Sequence, residues 1–260
     1  MDHPEGLFGW VDLSATDVDA AQAFYGGLFG WTFEDVPTPM GPSYTMCSLD
    51  GRVVAGIGPQ PPGMEEAAVP SMWNSYVIVG DVEATCEAAT AAGGQVVMPA
   101  MDVMTQGRMA VLLDPSGAAV GLWQPIDHSG AEVFNVAGSL SWNELQSRDL
   151  DAALPFYEQV FGWRFTDGHE AGYRQIILDT KEGDDPYNGG AMAMPPGVPD
   201  EAPSFWAVYF AVADCHRAVQ QLTELGGTVV VPPMEMGPGT FAGFTDPTGA
   251  FAFVGAFPTD

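Results

Sequence analysis

Apolar positions along this chain change period at regular intervals, and the changes mark out its elements. Val18, Ala21, Tyr25 and Leu28 recur at helical spacing, and so do Leu150, Ala153, Tyr157 and Val160. Val82, Cys86 and Ala89 form a third such face, and Cys215, Val219 and Leu222 a fourth. Before each comes an aspartate, Asp17, Asp81, Asp149 or Asp214, whose carboxylate suits the free N–H groups of a first helical turn. Gly30, Gly93, Gly162 and Gly226 predict where the helices end. Pro155 falls inside the third helix, within its first turns. Between the helices, residues 43–49, 53–58, 95–98, 107–113, 118–124, 173–179, 227–231, 240–245 and 250–256 alternate and are rich in Val, Tyr, Phe and Met, which predicts strands. Asp114-Pro-Ser-Gly117 and Asp246-Pro-Thr-Gly249 suit type I turns between strands. The Pro-rich stretches 59–70 and 195–203 read as exposed connectors.

The pattern is duplicated. Phe24-Tyr25 and Phe156-Tyr157 lie 132 residues apart, as do Trp10 and Trp142, Asp17 and Asp149, and the two Asp-Pro-x-Gly turns. The offset is 133 for Asp81 and Asp214, for Gly93-Gly94 and Gly226-Gly227, and for Pro99 and Pro232. Each half is itself a doublet, because Trp10, Asn74, Trp142 and Ala207 all precede a capping aspartate by seven residues. The expected fold class is therefore α+β, four βαβββ modules in two domains: residues 1–125, a linker at 126–136, and residues 137–260.

Strand alternation separates a helix side from a free side. Val11, Leu13, Val77, Val79, Val120, Leu122, Val208, Phe210 and Val212 are expected to pack on helices. The opposite face then carries Trp10, Asp12, Asn74, Tyr76, Gly121 and Trp123 in the first half, and Trp142, Glu144, Tyr209, Phe251 and Phe253 in the second. Two readings are open. Such a face suits a small-molecule cleft of apolar walls and few polar groups, or its aromatics simply fill the interior, above all where Phe251 and Phe253 stand. The matched acids Asp12 and Glu144 each follow a tryptophan by two residues. Either is a candidate acid–base group or a seat for an ammonium group beside an aromatic wall. The alternative is a buried acid tied to backbone or to an arginine such as Arg108, which precedes a strand of the same half.

Composition narrows the partners. With 34 acidic residues against 7 Lys+Arg, the net charge of -27 repels phosphate backbones and anionic lipid. No nucleic acid or membrane partner is expected, and a cationic small molecule is favoured, although a merely well-solvated acidic surface explains the same charge. No apolar run approaches a bilayer's thickness, and Met1-Asp-His-Pro-Glu lacks a basic region before an apolar stretch, so a cytoplasmic protein is expected, monomeric or homodimeric. Cys47, Cys86 and Cys215 have no paired spacing; Cys86 and Cys215 read as small core residues. His3, His128, His169 and His216 do not repeat between halves and read as non-catalytic. Neither G-x-G-x-x-G, a P-loop, G-x-S-x-G nor H-E-x-x-H occurs.

A strand, seven residues to Asp, an Ala-rich helix with Phe-Tyr, then Leu-Phe-Gly-Trp, resembles the vicinal oxygen chelate superfamily of glyoxalases, bleomycin resistance proteins and extradiol dioxygenases. The Asp-Pro-x-Gly turn before a final strand belongs to the same pattern, and the likeness is nearest to two-domain actinobacterial glyoxalase-like proteins. The resemblance implies two half-barrel domains. It also implies places for metal ligands, filled here by Trp10, Asn74, Trp142 and Ala207 on strands, by Gly121 and Phe253 four residues past the turn glycines, and near Gly56 and Ala191. Only Asn74 among these could coordinate a cation, and poorly, so neither metal nor other cofactor is expected. The expected function is metal-independent binding of a small aromatic or cationic molecule, an antibiotic or secondary metabolite. Asp12 and Glu144 supply the chemistry, and Trp10, Asn74, Tyr76, Arg108, Gly121, Trp123, Trp142, Tyr209 and Phe253 supply the ligand contacts. The competing readings are a metal-free lyase, isomerase or hydroxylase acting through Asp12 or Glu144, and an interaction protein with no ligand at all.

Overall fold

The computed structural model describes residues 3–39, 41–61, 63–64, 69–168, 170–181, 185–237 and 239–257. His169 and part of the connector expected at 59–70 lie outside them. The first βαβββ module is β1 (Phe8–Ala15), α1 (Val18–Phe29), β2 (Thr32–Val36), β3 (Tyr44–Leu49) and β4 (Arg52–Pro59). The second is β5 (Met72–Ile78), α2 (Val82–Ala91), β6 (Gln95–Val103), β7 (Gly107–Leu113) and β8 (Ala119–Pro125). The third runs β9 (Leu140–Ser147), α3 (Leu150–Phe161), β10 (Arg164–Asp167), β11 (Arg174–Ile177) and β12 (Tyr187–Ala193). The fourth runs β13 (Phe205–Ala211), α4 (Cys215–Glu224), β14 (Thr228–Met236), β15 (Gly239–Thr245) and β16 (Phe251–Ala256).

The helices begin as the pattern demands. Asp17, Asp81, Asp149 and Asp214 each accept a hydrogen bond from the backbone N–H three residues on. Gly30 and Gly162 close α1 and α3 in the left-handed conformation, at φ 73° and 68°, which a residue with a Cβ resists. Helix α3 continues through Pro155.

The strands form two eight-stranded sheets, ordered β2-β3-β4-β1-β5-β8-β7-β6 and β10-β11-β12-β9-β13-β16-β15-β14. Within each module the first and last strands pair in parallel, with the helix as crossover. Strands β2, β10 and β12 are additions to the sequence reading. The first two are polar edge strands, and β12 is rich in glycine, so none alternates strongly. Strands β6 and β14 run past Pro99 and Pro232, beyond the ends expected at 98 and 231. Both are edge strands, where a residue without an N–H is tolerated.

By contact, the described chain divides into two compact units that do not follow the sequence halves. One comprises residues 1–10, 75–130 and 142–207; the other comprises 11–74, 131–141 and 208–260. Each unit therefore takes one module from each half. In the second unit, Tyr25 on α1 donates its hydroxyl to Asp246 of the distant turn and accepts the indole N–H of Trp73. In the first unit, Tyr157 does the same with Asp114 and Trp206. Phe24 packs over Gly227, and Phe156 over Gly94, where any Cβ would collide with the ring or backbone. The two turn aspartates are structural hubs. Oδ1 of Asp114 also accepts from the N–H and hydroxyl of Ser116 and from Ala118 N–H, and Oδ1 of Asp246 from the equivalent groups of Thr248 and Ala250. Burial, and then the adjacent aspartate, hold the Tyr25 and Tyr157 hydroxyls far above the ordinary phenol pKa.

Candidate functional site

The free sides of the sheets carry the predicted site residues other than Arg108. Val11 and Leu13 are buried in the core under α1, and Val77, Val120 and Leu122 in the core under α2, so their strand neighbours face the other way. On β1 this places Asp12 beside Gly56 of the parallel strand β4. Gly56 has no side chain, and the phenol of Tyr44, from the start of β3, lies across it; a Cβ at this position would overlap the ring. The Tyr44 hydroxyl donates to Asp12 Oδ2 at 3.2 Å. The Asn74 amide donates to Asp12 Oδ1 at 2.9 Å and to Ser14 Oγ at 3.0 Å. Asp12, Ser14, Tyr44 and Asn74 are all half-buried. The predicted residues Asp12 and Asn74 thus meet, on a polar cluster completed by two residues that the sequence reading did not single out.

The second half repeats the design in a closed form. Glu144 stands beside Gly190 of β12, one residue before the expected Ala191, and the phenol of Tyr173 lies across Gly190 as Tyr44 does across Gly56. Tyr173 hydrogen-bonds Glu144 and accepts the Trp142 indole N–H at 2.9 Å. Gln146 donates to Glu144 Oε1 at 3.1 Å. Glu144 is only 3 % exposed and Gln146 5 %. Burial, and then the neighbouring glutamate, push the Tyr173 hydroxyl well above its ordinary pKa. Tyr44 and Tyr173 are 129 residues apart rather than 132, because the loop before β11 is shorter; a comparison at fixed offset passes over the match.

The other aromatic positions are filled interior. Trp10 and Trp123 are 4 % and 6 % exposed. The ring of His128 stands edge-on against Trp10, with centroids 4.5 Å apart, and 5.7 Å from Trp123, whose indole N–H donates to the His128 carbonyl. Tyr76 lies over Gly121, leaving no space for a Cβ there. Tyr209 stacks on Phe253 at 4.3 Å, with Phe251 and Phe241 against the pair. Arg108 departs from the expectation that it partners the acid. It shares its side of β7 with the buried Ala110 and Leu112, and its guanidinium is held by Glu83 of α2 and by Asp102 of β6, the latter at 2.8 Å. Alternation along β7 sends it to the helix side, away from the face that bears Trp123.

The ligand set of a metal centre does not fit these residues. Tyr76 covers Gly121, Tyr209 covers Phe253, and tyrosines likewise cover Gly56 and Gly190. Trp142 and Ala207 offer no donor for a cation. Asn74, the one possible ligand, has its amide turned to Asp12 and Ser14. Among the described residues no three His, Cys, Asp or Glu side chains gather as a metal site. The four-residue polar cluster around Asp12 can instead accept hydrogen bonds, attract positive charge or move a proton. Also among the described residues, no helix is long and apolar enough to cross a membrane.

Comparison with known proteins agrees with this architecture. The sequence model of the Glyoxalase/Bleomycin resistance protein/Dioxygenase superfamily matches residues 7–122 and 139–251. The chain is 44% identical over 253 residues to the putative glyoxylase CFP32 of Mycobacterium bovis, covering 96% of this chain and 94% of that protein. It is 37% identical over 255 residues to the anthracycline biosynthesis protein DnrV of Streptomyces peucetius, covering 94% and 91%. Among solved structures, the Mn(II)-bound glyoxalase from Novosphingobium aromaticivorans superposes with a TM-score of 0.66 at 15% identity, covering 97% of this chain and 83% of that one. The 2,3-dioxygenase LapB of Pseudomonas sp. KL28 superposes with a TM-score of 0.65 at 13% identity, covering 98% and 95%, and these two likenesses concern the fold alone. The chain belongs to the glyoxalase/bleomycin resistance protein/dioxygenase superfamily.

Proposed function

We propose that this is a glyoxalase-like protein of secondary metabolism that binds a small aromatic or cationic organic molecule without a metal. The observation that carries the reading is the Asp12 cluster. A half-buried carboxylate, fixed by Tyr44 and Asn74, stands on the face where relatives' ligand places hold glycine or an aromatic ring in this chain. A carboxylate so placed is partly desolvated and interacts more strongly with a donor or cation than it would in water. The 37% identity to an anthracycline biosynthesis protein points to a planar polyketide-like ligand. The acidic surface, at a net charge of -27, raises the local concentration of cations and disfavours anionic ligands.

A second reading rests on the same geometry. The Tyr44 hydroxyl donates to the Asp12 carboxylate, an arrangement that also suits proton transfer to and from a bound substrate, as a metal-free tailoring enzyme would need. Calorimetric titration with anthracyclines, with and without prior treatment with chelator, tests the binding reading. Equal affinity in both preparations supports it. Binding that disappears with chelator and returns with a divalent ion overturns it, as does the absence of binding across the panel. Chemical conversion of the bound compound that survives chelator and is lost in Asp12→Asn selects the enzymatic form of the reading.

A further inference from the structure

We propose that the β6–β7 hairpin carries a thioether site for one soft monovalent cation, Cu(I), formed by Met98, Met101 and Met109. The proposal goes beyond the ligand-binding reading, and either can fail without the other.

Four of the chain's 13 methionines fall within residues 98–109. The strand register gathers three of them. Met101 pairs with Met109, and Met98 pairs with Val111, two residues further along β7. Directly opposed residues share a face of the sheet with Cβ atoms about 4.5–5.5 Å apart, and diagonal neighbours stand about 7–8 Å apart. Ala110 and Leu112 are buried in the core under α2, so Met109 and Val111 face the free side, and their partners Met101 and Met98 with them. Met98 and Met101 are three residues apart, and strict alternation would place them on opposite faces. The register shift between them brings both to one face. The counterpart hairpin confirms the direction. A Cβ on Gly243 would meet both Val231, the equivalent of Met98, and Phe253 of the free side.

A methionine sulfur lies two bonds beyond Cβ on freely rotating torsions, so three sulfurs from such a triangle can close on one ion. Strand β6 is the edge of its sheet. Met101 is 48% exposed there, while Met98 and Met109 are half-buried. An ion thus enters from solvent at Met101 and is held among partly desolvated sulfurs. Asp102, next to Met101, pairs with Arg108 on the helix side and brings no hard oxygen to the site. Three neutral, polarisable thioethers select Cu(I) over Mn(II) or Zn(II). The net charge of -27 raises the local concentration of any cation. The fourth module lacks the set: Val231, Met234 and Phe241 hold the three places, and Phe241 packs on Tyr209 and Phe257. One site per chain follows.

The test is anaerobic titration of the full chain with Cu(I) held by the chromophoric chelator bicinchoninate. A Cys86→Ala background removes the one thiol that is not buried. The expected result is one Cu(I) per chain, with equal affinity at about pH 5.5 and pH 7.5, because a thioether loses no proton on binding, unlike a thiol or imidazolium. Met101→Leu with Met109→Leu should lower the affinity at least about 10-fold, since even outer partners of a metal site are worth 10–100-fold. Leucine replaces methionine with little change of volume, so the fold is kept. A second measurement needs no substitution. With methionine methyls labelled with 13C, Ag(I), a redox-silent analogue, should shift the signals of Met98, Met101 and Met109 together and saturate at one ion. Met234, 45% exposed but outside any such cluster, should not move. Failure to take Cu(I) from the chelator, affinity that falls with acidity, binding that persists in the double variant, or a shift of Met234 equal to that of Met101 overturns the proposal. Each of these leaves the ligand-binding reading untouched.

Discussion

Adding one methyl group at Gly190 and at Gly56 should have unequal effects, and the inequality is set by burial. A Cβ on either glycine overlaps the phenol above it, Tyr173 or Tyr44, so the ring must swing off the strand. At Gly190 the displaced hydroxyl leaves Glu144, which is 3 % exposed, short of a donor that water cannot replace. An unsatisfied buried polar group costs about 1–3 kcal/mol, with the upper end for a charged one. The Trp142 indole also loses its acceptor at 2.9 Å, but it is half-buried and can turn to water. Against this stands a gain of roughly 0.5–1 kcal/mol from replacing glycine by alanine within a strand. The net expectation for Gly190→Ala is a loss of about 1–2 kcal/mol. At Gly56 the same displacement leaves a half-buried Asp12 that keeps Asn74 and is accessible to water, so the loss and the backbone gain nearly cancel. Denaturant unfolding of the two variants reads the difference directly, and in a thermal scan each kcal/mol moves the midpoint by about 2–4 °C for a chain of this size. The reasoning is refuted if Gly190→Ala is as stable as the unaltered protein, or if the two variants unfold within about 0.5 kcal/mol of each other.

Tyr25→Phe should destabilise by about 2–4 kcal/mol in denaturant unfolding, because it strips a partner from both buried Asp246 and Trp73; a loss under 1 kcal/mol would show that the triad relaxes. Alkaline pH should weaken the fold steeply. Tyr25 and Tyr157 keep their protons when folded, with pKa values raised above the unfolded value near 10, so their contribution is complete below about pH 10 and falls above it by about 2.7 kcal/mol per pH unit for the two together. Cys215, pushed up to about 11 by burial, adds to the decline from about pH 9. An unfolding midpoint flat between pH 9 and pH 11 would count against this. Asp17→Ala should cost about 1 kcal/mol through the lost N-cap of α1, measured in the same way. Arg108→Gln, on a half-buried side chain whose ion-pair partners Glu83 and Asp102 are exposed, should leave the unfolding midpoint unchanged within error; a marked loss would return Arg108 to a structural role.

The repeat was readable because caps and turns are local. Asp17 and Gly30 mark a helix whatever the helix later packs against, and so do Asp149 and Gly162, while α2 and α4 are capped by Ala92 and Leu225, one residue before the glycines expected to end them. The pairing of modules was not readable. Tyr25 bonds Asp246 rather than its own half's Asp114, and both aspartates sit in near-identical turns, so nothing local distinguishes them. Alternation assigned strand faces well, and the same rule applied to β7 would have sent Arg108 to the helix side. It could not show which aromatics remain open: His128, read as a linker residue, closes on its near neighbour Trp123 and on Trp10, which is distant in sequence. Tyr44 and Tyr173 were passed over because a loop of different length breaks their register, yet each hydrogen-bonds one of the matched acids, Asp12 or Glu144.

The direct measurement is equilibrium dialysis against Mn(II), Ni(II) and Zn(II) at an ionic strength high enough to screen the acidic surface, followed by elemental analysis of the washed protein. The account predicts no saturable, stoichiometric divalent ion, and unchanged ligand affinity across the three metals. One tightly held ion per chain, lost together with ligand binding in Asp12→Asn, would contradict it.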